Sequence, residues 1–63
     1  MCESTVYLEV GNEAKEIMTD VARIVMDGED AVCTNIVGEK VVLNKVRLKE
    51  ANLLSHGIVF TRD

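Results

Sequence analysis

The sequence predicts an all-β fold, five to six short antiparallel strands rolled into a small barrel as a single domain over residues 1–63. Three observations predict it. Short apolar, β-branched segments alternate with turn residues from one end to the other. No proline, internal repeat or low-complexity run interrupts them. The segments recur at about 8 to 12 residues, the spacing of small sandwiches and barrels, and 63 residues suits a barrel of SH3-like size.

The first strand runs from Glu3 to Val10, with Val6, Leu8 and Val10 on one face and Thr5, Tyr7 and Glu9 on the other. Gly11-Asn12 tolerates positive φ and marks a hairpin turn. The second strand is expected in two parts, Glu16 to Met18 and Val21 to Met26, broken at Thr19-Asp20. Asp27-Gly28-Glu29-Asp30 is the next turn. Ala31 to Val37 is the third strand and Gly38-Glu39 turns the chain into a fourth, Lys40 to Leu43. Residues 44–54 carry two signals. Lys45-Val46-Arg47-Leu48-Lys49 alternates as a strand, whereas the residues around Glu50 are helix formers; a helical stripe from Val42 fails at Lys49. A bent strand is favoured, with one helical turn near Glu50 as the alternative. Ser55-His56-Gly57 turns tightly, and Ile58 to Thr61 closes the fold with Ile58 and Phe60 inward. A core this small is marginal alone and its strand edges need cover, which predicts a two-fold homodimer.

Composition narrows the function. The net charge is −4, from 11 acidic and 7 basic residues. That argues against nucleic-acid binding, although Lys40, Lys45, Arg47 and Lys49 cluster in the second half. Tyr7 and Phe60 are too few for a base-stacking platform. Glu3 and Glu9 interrupt any secretory apolar region, and no apolar run approaches the roughly 20 residues that span a bilayer. A cytoplasmic protein with reduced thiols is expected. There is no phosphate loop, no Ser-His-Asp set, no CxxC and no carboxylate pair placed for acid–base work; Glu29 and Asp30 sit in a loop. The chain is not expected to be an enzyme.

Three residues remain as candidates. Cys33, within Ala31-Val32-Cys33-Thr34, is expected to pack as a small core hydrophobe. His56 is the only histidine and is expected as a solvated turn residue, with a supplementary ligand role as its other reading. Cys2 is different. Extending the first strand puts Cys2, Ser4, Val6, Leu8 and Val10 on one face, so its thiol points inward or across an interface. If Met1 is removed, the α-amine and thiolate of Cys2 form a five-membered chelate; if it is retained, nitrogen comes from the Cys2 amide or the Met1 amine. Two copies across a two-fold axis then supply S2N2, which suits Ni(II) when planar and zinc when tetrahedral.

Met1-Cys2-Glu3, the strand Val6 to Val10, Asp20-Val21-Ala22-Arg23-Ile24, the turn Val37-Gly38-Glu39 and the run Leu53-Leu54-Ser55-His56-Gly57-Ile58-Val59 resemble the CooT family. These are small cytoplasmic nickel-binding proteins, in some organisms accessory to the maturation of nickel-containing carbon monoxide dehydrogenase. The resemblance implies an SH3-like β-fold, a homodimer, and one Ni(II) per dimer held by the two copies of Cys2, serving a nickel-enzyme client. The family's ligand role carries over to Cys2 alone. Cys33 falls where the family pattern has an aliphatic residue. An older family label, RNA-binding, finds no support in the charge. The competing expectation is a metal-free SH3-like adapter for a protein or RNA partner, which would have no need of a thiol at position 2.

Overall fold

The computed structural model describes residues 3–62. Six strands form one sheet: β1 (Ser4–Val10), β2 (Glu13–Asp27), β3 (Asp30–Asn35), β4 (Lys40–Leu43), β5 (Arg47–Asn52) and β6 (Gly57–Thr61). Their order is β4-β3-β2-β1-β6-β5. No helix forms among the described residues, so the ambiguous segment resolves as the strand β5.

Two tight hairpins start the sheet. Val10 pairs with Glu13 around Gly11-Asn12, and Asp27 pairs with Asp30 around Gly28-Glu29. Each loop has two residues, with glycine first at positive φ (65° and 63°), the pattern of a type II′ turn. β2 is one strand of 15 residues rather than two short ones. The break expected at Thr19-Asp20 is a bend: Asp20 adopts φ 55°, and the registers with β1 and β3 slip on either side of it. Met18 and Val21 are three apart, yet both are buried, because the bend shifts the alternation of faces by one. β3 stops at Asn35, two residues short of the expected end, because the Asn35 side chain turns the chain there.

One pairing departs from the all-antiparallel expectation. β6 runs parallel to β1, while the other four pairs are antiparallel. The cause is the link Asn44-Lys45-Val46. Followed through the pairings, β4 and β5 point the same way, so the chain crosses from one sheet edge to the other without reversing. That missing reversal leaves β6 alongside β1 in the same sense. The link also sets the curvature. Six flat strands would hold their edges about 24 Å apart, but the four Cα steps from Leu43 to Arg47 span at most about 14 Å. The sheet therefore rolls up without closing, since β4 and β5 do not pair. The β2–β3 turn straps the link: Val46 N–H donates to the Glu29 carbonyl at 2.8 Å, and Lys45 N–H donates to Asp30 Oδ1 at 3.2 Å.

Inside the roll lie Val6, Leu8, Met18, Val21, Ala31, Cys33, Leu43, Val46 and Phe60. Ile17, Ile24, Val41 and Ile58 pack around them. Phe60 sits opposite both Leu8 and Leu48 and is 2% exposed. Val10, expected inward, is exposed, because it ends β1 where the hairpin leaves the core behind. β5 is exposed along its whole length.

Candidate metal centre

The start of β1 is where the sequence places its chief candidate. Cys2 lies outside the described residues; what surrounds the strand it leads into is well defined. Thr5 N–H donates to the His56 carbonyl at 2.9 Å, and Thr5 pairs with Gly57. On the other side Ser4 pairs with Val21. His56 is half-buried and takes φ 59°, a left-handed conformation uncommon outside glycine. Gly57 follows it, where an added Cβ would stand 3.5 Å from Ser55 Oγ and 3.7 Å from Tyr7 Cε2. The only histidine is therefore held by backbone geometry beside β1, rather than in a loosely solvated turn.

Cys33 is fully buried, opposite Ile24 on one side and Val41 on the other. Burial pushes its thiol up from the ordinary range, because the thiolate would lose its water. It is a core residue, as the sequence indicates. Cys33→Ala is expected to lower stability by about 1–2 kcal/mol through a small cavity, read as a shift in the urea midpoint. The raised thiol has a pH consequence. The folded state holds the proton more tightly than the unfolded state. Its stabilising contribution is therefore complete below the ordinary thiol range and declines as pH rises above it.

Among the described residues, no three His, Cys, Asp or Glu side chains gather closely enough to hold a metal ion. Glu29 spends its carbonyl and Asp30 its carboxylate on the β4–β5 link. The basic cluster is interleaved with acids: Lys49 Nζ pairs with Glu9 Oε1, and Glu29 lines the same small cleft as Lys45 and Arg47. Acidic side chains therefore stand among these basic ones. An apolar groove of about 210 Å3 opens between Ile24 and Met26 of β2 and Leu48, Ala51, Ile58 and Phe60 of β5 and β6. Leu48 and Ala51 reach it together because β5 bulges between Leu48 and Glu50. No helix among the described residues is long and apolar enough to cross a membrane.

Comparison with known proteins adds two findings. The family model described as CO dehydrogenase accessory protein CooT matches residues 1–61. A crystal structure provisionally named CooT, from Carboxydothermus hydrogenoformans, superposes with a TM-score of 0.87 at 24% identity, covering 98% of each chain. At that identity the superposition speaks to the shared fold. No curated protein matches.

Proposed function

The chain belongs to the CooT family of CO dehydrogenase accessory proteins, and on that premise we propose that it is a cytoplasmic nickel carrier, not an enzyme, serving the maturation of a nickel enzyme such as carbon monoxide dehydrogenase. Two chains share one Ni(II), each contributing the Cys2 thiolate and a nearby backbone or terminal nitrogen. Thiolate and nitrogen donors suit Ni(II) in a plane. A single chain offers one such thiolate, so the S2 set requires a second copy.

The observation that supports this reading most is the family match across residues 1–61, which takes in position 2. Burial of Cys33 supports it further by removing the other cysteine from contention. The His56 carbonyl accepts the Thr5 N–H beside the start of β1, and His56→Ala is expected to keep the nickel stoichiometry, because the S2N2 set is complete without an imidazole.

Anaerobic titration with Ni(II), Zn(II) and Cu tests the proposal. One Ni(II) per two chains is expected, with sulfur-to-nickel charge-transfer absorption and preference for nickel over zinc. Binding is expected to weaken as pH falls, because the ligands must lose protons to coordinate. Absence of nickel uptake would overturn the proposal and favour the metal-free adapter, for which the apolar groove of β2, β5 and β6 is the natural contact.

A further inference from the structure

β2, β3 and β4 turn one face to the core and the other to solvent. The row Ile24, Cys33 and Val41, aligned across the three strands, packs on the core. The rows on either side of it face outward, because side chains alternate along each strand. Each outward row has its own chemistry. Arg23, Thr34 and Lys40 lie opposite one another in the first. Val25, Val32 and Val42 form the second. Asp27 and Asp30 form the third, where the β2–β3 hairpin closes. The outer face is therefore banded: cationic, then aliphatic, then acidic. A shallow depression of about 410 Å3 runs across the bands, lined by Arg23, Val25, Asp27, Val32, Thr34 and Lys40.

The polar groups of these bands are largely unspent. Among the described residues, the side chains of Arg23, Thr34, Lys40 and Asp27 have no hydrogen-bond or ion-pair partner. Asp30 gives one oxygen to the Lys45 N–H. Val25 and Val42 are 40% and 51% exposed. The chain carries 11 acidic and 7 basic residues, yet the two cations of the first band stand without a carboxylate, whereas Lys49 is paired with Glu9.

We infer that this face binds an extended segment of another protein with the order acid-x-aliphatic-x-base. Its carboxylate lies over Arg23, Thr34 and Lys40, its aliphatic side chain on the valines, and its cation beside Asp27. None of these residues belongs to the proposed metal site. The spacing fits, because alternate residues of an extended chain repeat at about 6.8 Å. Successive bands are two residues apart on their strands and share that repeat, so a segment laid along the strands sets every second side chain on a band. The chemistry fits as well. A guanidinium can hold a carboxylate with two bonds, and the Lys40 ammonium and Thr34 hydroxyl add donors. Water displaced from the valines strengthens the charge pairing beside them. The size of the face selects a short segment over a second copy of this chain. Three strands spaced at about 4.8 Å, over the four residues of β4, bound a patch of roughly 200 Å2. A stable protein interface needs about 800 Å2 on each partner. A nucleic-acid phosphate suits the first band but meets the acids of the third and a net charge of −4.

Amide chemical shifts of the isotope-labelled full chain test this, in a titration with the blocked peptide Ser-Glu-Ser-Val-Ser-Lys-Ser. Shifts are expected at Arg23, Val25, Val32, Thr34, Lys40 and Val42. Arg23→Gln/Lys40→Gln is expected to weaken binding about tenfold or more, as is glutamine in place of the peptide's glutamate, since each removes a charge-assisted hydrogen bond. A peptide with serine in place of valine is expected to bind more weakly than the parent, and added salt is expected to weaken the parent. Circular dichroism verifies the fold of the variant. Should it fail to fold, the glutamine peptide on the wild-type chain carries the same comparison. Equal binding of the parent and glutamine peptides would overturn the inference, as would the absence of shifts on this face or shifts confined to the groove of β2, β5 and β6. Tighter binding of an oligouridylate at the same residues would assign the face to phosphate instead. Concentration-dependent shifts there without peptide would assign it to a second copy. Either result would also overturn the inference.

Discussion

Phe60→Ala is expected to leave the chain largely unfolded at physiological temperature. Phe60 is the largest of the fully buried side chains, and it contacts both arms of the roll through its partners Leu8 on β1 and Leu48 on β5. Truncating a buried phenylalanine costs about 3–5 kcal/mol. A chain of 63 residues, at about 0.05–0.15 kcal/mol per residue, has only some 3–9 kcal/mol to lose. The loss is also poorly absorbed. β5 has no buried residue of its own, and β6 is the one strand it pairs with in the sheet. Urea titration followed by circular dichroism checks this, with Phe60→Leu as the conservative companion expected to remain folded. An alanine variant whose midpoint matches that of the leucine variant would contradict the assignment of Phe60 as the centre of the core.

Cys2→Ser is expected to abolish tight nickel binding, weakening it by at least a hundredfold, and to remove the sulfur-to-nickel absorption. A serine hydroxyl keeps its proton at neutral pH and is a hard oxygen donor, so it cannot replace a thiolate at a soft S2N2 site. Fold and dimer are expected to survive, because the exchange replaces one sulfur by an oxygen and leaves the nine buried residues of the described core unchanged. Extending the N-terminus separates the nitrogen donors. A short uncleaved extension should cost much of the affinity if a free α-amine is a ligand, and little if a backbone amide serves. Unchanged nickel affinity in Cys2→Ser would remove the proposed site, while loss of binding in Cys33→Ala without unfolding would move it to the buried thiol.

Much of the strand pattern was legible because alternation and turn chemistry are local. Gly11-Asn12 and Asp27-Gly28 marked their hairpins directly, since positive φ at the first loop position favours glycine. Cys33 read as core from its apolar, β-branched neighbours. Other features were less legible. Ile36 and Val37 looked like the end of a strand by composition, but Asn35 two residues earlier was the stronger signal: its side chain competes with the sheet for the backbone N–H groups. The same signal at Asn52 marks the second turn. Neither asparagine belongs to a chemical motif, so a search for ligands and catalysts passes over both.

The amino-acid sequence by itself determined the all-β class, the two glycine hairpins, the core face of β1 at Val6 and Leu8, and the singular position of Cys2, because each depends on residues close together in the chain. The tertiary structure decided what depends on distant pairings. It made β6 parallel to β1, because β4 and β5 run on in one direction through Asn44-Lys45-Val46 and no local pattern records the sheet edge to which a strand returns. It turned the split in β2 into a bend at Asp20, because both halves found partners, β1 before the bend and β3 after it. It also set the Asn35 and Asn52 turns, 17 residues apart in sequence, on the two flanks of the start of β1, the first beside Val21, which pairs with Ser4, and the second just before Gly57, which pairs with Thr5. Pairing on both sides of β1 fixes those places, because register between distant strands is set by the shared core face and not by separation along the chain.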